Sequence, residues 1–380
     1  MQCLYVLFFR TPPQFIMLRL LNTSRHCANQ QLQSPLFALP PEIRRIIFRY
    51  AVTGYPDPSK DAQYDEDTCY RRPGFFSRHR IDTDLLRTCR AALLESWDMP
   101  LIHTEHVFWL AWGNRAPPHS NWHSQLIKFS RAAASLSLDA AAIDDMRIFI
   151  QMFNFDDGDL QQLMEMDMII ARRITFTIRH TDWWHWESDN ELYFNSRWLH
   201  GFFGLLPEET EEICFELETV ARKLDQLQGI AKQMQESWYF RKRNGQILLA
   251  DASLSTHPMR WRGSSTWEGT HWDRDECEPG KIEYVVITVN FRPREAILKD
   301  GGKLYDSALA NALRDDPETY KLELNNGDSG IGFLIYAAGS DDDDDENHSD
   351  EDAEDAEDAE DSENVPGDDE YSEGSQTPLH

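Results

Sequence analysis

The chain has 380 residues and 41% hydrophobic content, enough for one large domain or two ordinary ones with real cores. Its formal net charge is -29, but the last forty residues, from Asp341 to His380, hold twenty acidic residues and no Lys or Arg, which leaves -9 on the other 340. A surface of that sign repels a phosphate backbone, and the basic clusters are short and scattered (Arg44-Arg45, Arg71-Arg72, Arg172-Arg173 and Arg241-Lys242-Arg243), so no nucleic-acid partner is expected.

Residues 1–33 read as a leader or linker. The apolar start MQCLYVLFF is too short to span a bilayer, and Pro12 and Pro13 break it. Arg10, Arg19 and Arg25 precede the first acidic residue, Glu42, which leaves a targeting leader and a frayed end both open. No membrane partner is expected. No two of the six cysteines stand close enough for a CxxC zinc half-site, which fits free thiols in a reducing compartment, cytoplasmic or nuclear.

Residues 34–112 hold two amphipathic helices and a strand. In the first helix Pro41 suits the opening position and Glu42 favours its dipole. Ile43, Ile46, Ile47, Tyr50 and Ala51 make one apolar stripe, Arg44, Arg45 and Arg49 take the opposite face, and Gly54 with Pro56 stops the helix. The second helix starts at Asp82 or Thr83, carries Leu85, Leu86, Cys89, Ala92 and Leu93, and is expected to end at Pro100. Glu105–Trp112 reads as a strand.

Residues 113–335 form the body, with strands alternating with helices. Period-two alternation marks Ile174–Arg179 and Ile213–Glu218, with Glu216 and Glu218 expected to face water. A helix follows with Val220, Leu224, Leu227, Ala231, Met234 and Trp238 on one side. Asn244-Gly245 predicts a two-residue hairpin, and Tyr284–Phe291 is the last strand, closed by Pro293. The fold class expected is α+β. Residues 336–380 read as a disordered acidic tail that binds basic partners.

The residues Leu39, Pro40, Glu42, Ile43, Ile46 and Phe48, followed by Leu86, Cys89 and Arg90, resemble the LPxEI start and CR-containing helix of F-box modules. Glu95 and His106–Trp109 fit the sequel in fungal F-box-like proteins. The run Thr177-Ile178-Arg179-His180-Thr181-Asp182-Trp183-Trp184-His185-Trp186-Glu187 resembles a segment of the same proteins. The resemblance spans about residues 36–292. It implies an adaptor that recruits a target to an SCF-type ubiquitin ligase, docking a Skp1-type adaptor through Leu39, Pro40, Ile43, Ile47 and Phe48. The sequence departs from a compact F-box in the polar segment Thr53–Asp82 between the two helices. If that segment covers the first helix, docking fails and a stand-alone scaffold module is the better reading. The stripe can also simply fill the protein's own core.

Twelve tryptophans are present, eight of them between Trp183 and Trp272. Trp183, Trp184 and Trp186 cannot share one strand face, so at least one is expected at the surface, which makes them the candidate target-binding residues. A Trp-lined carbohydrate or small-ligand site is a third reading. His180, Asp182, His185 and Glu187 would need a bend to converge on a metal, and His271, Asp273, Asp275, Glu276 and Cys277 read as a solvated acidic loop, so no metal is expected. There is no GxSxG, GxxxxGK[ST], HExxH or post-strand GxGxxG signature. A non-catalytic protein without cofactor is the expectation.

Overall fold

The computed structural model describes residues 33–314, apart from 137, 139, 253–257 and 268, together with residues 29 and 31. The acidic tail and, save 29, 31 and 33, the expected leader lie outside the described residues. The first helix, α1 (Pro41–Val52), starts on Pro41, whose missing N–H costs nothing at a helix N-terminus, and stops where Thr53 turns extended and its hydroxyl donates to the Arg49 carbonyl at 2.5 Å. A two-stranded ribbon of β1 (Tyr55–Pro56) and β2 (His79–Arg80) then brackets the polar segment. Gly54 makes the exit from α1 possible, since a Cβ there would come within 2.9 Å of Thr104 Cγ2.

The expected second helix is three short ones: α2 (Asp84–Thr88), α3 (Arg90–Ser96) and α4 (Met99–Ile102). The break falls at Cys89, which is extended at φ -159° and ψ 161° and caps α3 by accepting the Ala92 N–H at 3.5 Å. Pro100 does not end a helix but sits in the first turn of α4, where its lack of a donor is tolerated. Cys89, Cys214 and Cys277 are free thiols.

The body is built on a nine-stranded mixed sheet, so the protein is α+β. Strands β3 (His106–Leu110), β4 (Ala141–Ile150), β5 (Ile169–Ile178) and β6 (Glu212–Val220) run parallel in chain order. The helices in this stretch are α5 (Trp122–Ser135), capped by Asn121 Oδ1 on the His123 and Ser124 N–H groups, α6 (Phe153–Asp156), α7 (Asp159–Met164) and α8 (Trp198–Phe202). After β6 come α9 (Leu224–Ser237) and the hairpin β7 (Tyr239–Arg241) and β8 (Ile247–Ala250). Its loop is longer than two residues. The Lys242 N–H reaches Gln246 O at 2.9 Å around Arg243–Gly245, and Gly245 adopts φ 84°. Next follow β9 (Met259–Ser264), the small pair β10 (Thr266–Trp267) and β11 (Thr270–His271), and β12 (Glu276–Glu278).

The long strand β13 (Lys281–Pro293) organises the rest. One of its edges pairs antiparallel with β6 and then β12; the other pairs with β9 and then β8. Helices α10 (Arg294–Lys299) and α11 (Asp306–Arg314) close on the hairpin through Tyr239, Leu249, Ile297, Ala308 and Ala312.

The alternation of the strands gives the sheet two unlike faces. Phe108, Leu110, Met146, Ile148, Ile174, Phe176, Ile213, Phe215, Leu217 and Phe291 project to one side, where α5, α7, α8 and α9 bury them in the main core. The opposite side carries Trp109, Arg147, Phe149, Thr177, Arg179, Glu216 and Glu218, and the polar segment after β1 covers it. β3 belongs in sequence to the stretch expected to form the N-terminal module, yet it is hydrogen-bonded into the body's sheet.

Candidate interaction surfaces and the buried polar network

Helix α1 lies on the surface, held by few residues. Phe48 and Val52 are fully buried against Ala92 and Met99, with Leu36, Phe37, Leu85, Leu86 and Cys89 packed around them. Arg44, one turn before Phe48, grips Glu95 with two bonds of 2.8 and 2.7 Å and also donates to the Leu39 carbonyl. Arg49 and His103 both reach Asp144, at 3.0 and 2.7 Å, which ties the helix to β4. The inward face is therefore Arg44, Phe48 and Val52. Arg44 is not on a solvated face, and the apolar stripe does not fill the core. Leu39, Ile43, Ile46, Ile47 and Tyr50 are all exposed, from 37% at Leu39 to 81% at Tyr50. Among the proposed docking residues Leu39, Pro40, Ile43 and Ile47 are open, whereas Phe48 is sealed and serves as the anchor.

The segment between β1 and β2 packs on the charged side of the sheet and contributes nothing to the cluster beneath α1. Phe75 meets the Phe149 ring edge to face at 4.9 Å, and Tyr70 and Phe75 both stand against Trp109. Arg72, 3% exposed, lies 3.4 Å from Glu216 and 3.5 Å from Glu218. Arg147 joins Glu105 at 2.8 Å and Glu216 at 2.7 Å, while Arg179 is locked onto Asp182 by bonds of 2.7 and 2.8 Å. Glu218 thus does not face water and Glu216 is largely covered: alternation told the two sheet sides apart but could not say that a distant segment covers the second.

The two glutamates differ. Burial pushes the Glu218 carboxyl above the usual range, against the pull of Arg72 and the Trp261 indole N–H, which donates to it at 3.1 Å. Burial also pushes on Glu216, but Arg147 and Arg72 overcome it and hold that carboxyl below the usual range. Beside Glu218 a cavity of about 20 Å³, lined in part by His180, Thr181, Trp261 and Tyr284, has room for one water-sized group. His180 is buried with Nδ1 3.3 Å from Thr219 Oγ1, and desolvation drives its pKa down to about 3.

All twelve tryptophans are described, and their burial redraws the proposed target-binding set. Trp183 is buried and donates its indole N–H to Glu218 O at 2.8 Å; Trp186 is buried against Trp267 and Trp272. Only Trp184 of the three is partly open. They do not share a strand because β5 ends at Ile178 and the chain continues in two 3-10 turns, His180–Asp182, which is buried throughout, and Trp186–Ser188, of which only Trp186 is buried. The exposed tryptophan is Trp112, at 75%. It was not singled out from the sequence, although a tryptophan at a strand end followed by Gly113-Asn114 is a visible signal. Trp112 and Trp184 flank a groove of about 450 Å³ formed by the turns that follow β3, β4 and β5.

The sequence clusters that tempt a metal or catalytic reading come apart. His180 and Asp182 are buried while His185 and Glu187 are exposed, and among the described residues no group of His, Cys, Asp and Glu side chains is placed to hold a metal ion. The loop at 271–277 is not uniformly solvated: Asp275 is buried under Arg222 and Arg274, at 2.5 and 2.9 Å. Ser265, His271 and Glu276 approach one another, with Ser265 Oγ 3.4 Å from His271 Nδ1. However, Ser265 is fully buried and its hydroxyl is given to Glu276 at 2.5 Å, so it offers no nucleophile. No helix among the described residues is long and apolar enough to cross a membrane. No family model, no curated protein and no solved structure matches the chain.

Proposed function

We propose that this protein is a non-catalytic protein-interaction adaptor that docks a Skp1-type subunit of an SCF-type ubiquitin ligase through α1 and holds a target on its body. The observation that carries the reading is the open stripe Leu39, Ile43, Ile46, Ile47 and Tyr50 on a helix anchored from its other side. A helix that turns its apolar residues outward while an arginine helps hold it from the inner side is built to be covered by something else. The polar segment after α1 supports the reading too, because it packs on the sheet and leaves the stripe free. In this reading the acidic tail is a site for basic partners, and the protein works in the cytoplasm or nucleus.

A stand-alone scaffold module is the second reading. It is favoured by the break at Cys89, which replaces the single CR-containing helix of an F-box with two short ones.

The test mixes the full chain with a purified Skp1-type adaptor and measures association by calorimetry and co-elution. The expected result is a complex that forms with wild type and is lost in the Ile43→Asp/Ile47→Asp variant, with an unchanged circular dichroism spectrum. Absence of a complex with wild type ends the ligase reading and leaves the scaffold.

A further inference from the structure

The turns after β3, β4 and β5 lie at the carboxyl ends of three adjacent parallel strands, the position where open parallel sheets place their ligand sites. The groove there is pre-shaped. The Trp112 backbone N–H donates to Gln151 Oε1 at 2.7 Å, which fixes the chain there, and the exposed indole meets Phe153 edge to face at 6.2 Å. Arg115 is fixed by the Thr181 carbonyl at 2.6 Å and by Glu187 at 2.7 Å, and its guanidinium lies over the buried Trp186 ring at 5.6 Å. The result is an aromatic platform beside a rigid row of planar hydrogen-bonding groups.

We infer that this groove binds a neutral carbohydrate, with one sugar ring stacked on Trp112 and its hydroxyls bonded to the Arg115–Glu187 pair. A sugar ring has an apolar face and a polar rim, which this platform and this row match together. The charges favour a neutral ligand, since Arg115 and Glu187 neutralise each other and Asp182 is committed to Arg179. The size fits as well: about 450 Å³ is in the range of small-ligand clefts. A peptide added as an extra strand is disfavoured, because Asn121 already bridges the outer side of β3 at Trp109. Trp184, which also lines the groove, supplies a second, half-buried ring for a neighbouring sugar.

The inference rests on the proposed function only in taking the body as the part that holds the target. It is tested without any ligase component. The full chain is titrated with triacetylchitotriose, cellotriose and mannotriose, with a proline decapeptide as counter-probe, and followed by tryptophan fluorescence and saturation-transfer NMR. At least one trisaccharide is expected to bind with transfer to its ring protons. Trp112→Ala should weaken it by roughly ten-fold, the loss of one stacked ring, and Trp112→Phe by less. The Ile43→Asp/Ile47→Asp variant should bind sugar like wild type, so failure of ligase docking with sugar binding intact removes only the adaptor reading. The carbohydrate assignment is overturned if none of the three sugars binds, if Trp112→Ala binds as well as wild type, or if the decapeptide alone occupies the groove.

Discussion

Helices α1 and α9 carry apolar stripes of similar quality and meet opposite fates. In α9 the stripe turns inward: Leu227, Ile230, Ala231 and Met234 are buried against β6, β13 and Trp238. In α1 the stripe turns outward, and the inward contacts are Arg44, Phe48 and Val52. The difference lies in what each helix finds beneath it. An apolar sheet face spans the whole length of α9. Below α1 there are only short helices and the carboxylates Glu95 and Asp144, which select arginines as readily as leucines. An amphipathic pattern therefore identifies a stripe to be covered, and the tertiary surroundings decide whether the protein itself or a partner covers it.

Substitutions sharpen that contrast. The largest effects belong to the anchors. Phe48→Ala should destabilise by about 3–5 kcal/mol and Met234→Ala by about 2–5 kcal/mol in urea unfolding, because both leave cavities in packed sites. Arg72→Met is expected to cost a similar ~3–5 kcal/mol, since it takes from the buried Glu218 its arginine partner. A loss below ~1 kcal/mol would mean that the covering segment is not held by its arginine. At the small end Ile46→Ala should stay within about 0.5 kcal/mol of wild type, as exposed sites do. A cost matching Met234→Ala would show that the α1 stripe is covered within the monomer.

Acid titration contrasts the buried histidines His106 and His180 with Glu218 on the charged side of the sheet. His106, buried and donating its Nε2–H to the Leu101 carbonyl at 2.6 Å, is pushed down to about 4 by desolvation, and His180 to about 3. Both stay neutral in the native state while the unfolded chain takes up protons near pH 6.5. Stability should then fall as pH drops from about 6.5 toward 4, with His180 extending the loss toward 3. Glu218 acts in the opposite sense. Its raised carboxyl binds a proton more tightly in the native state, so stability declines as pH rises above the normal carboxylate range. Glu218→Gln should flatten that decline. This is the smallest of the expected effects, and a steeper profile in the variant would count against an ionisation cost at Glu218.

Much of the fold was readable. Ile174–Ile178 and Ile213–Leu217 show the period-two pattern, Tyr284–Phe291 is rich in β-branched and aromatic residues, and all three lie in strands of the central sheet. The hairpin was placed correctly, though its loop proved longer than Asn244-Gly245 suggested. The break at Cys89 was hidden because the residues on both sides are good helix formers, and a thiol cap on Ala92 leaves no periodic trace. At the surface, the open positions of Leu39, Ile43 and Ile47 coincide with the proposed docking residues. Of the tryptophan trio, Trp183 and Trp186 went to the interior because turns after β5, not a strand, set their directions.

The order of apolar and polar residues determined by itself where strands and helices form, since each reflects a local repeat of two or 3.6 residues. It also determined that two sides of the sheet would differ. Only the tertiary structure decided which segment lies on the charged side, that Phe48 rather than Ile43 is buried, and that Trp112 rather than Trp183 meets the solvent. Those outcomes depend on contacts between residues far apart in the chain, such as Arg72 with Glu218 and Arg44 with Glu95, and no local repeat encodes such a pairing.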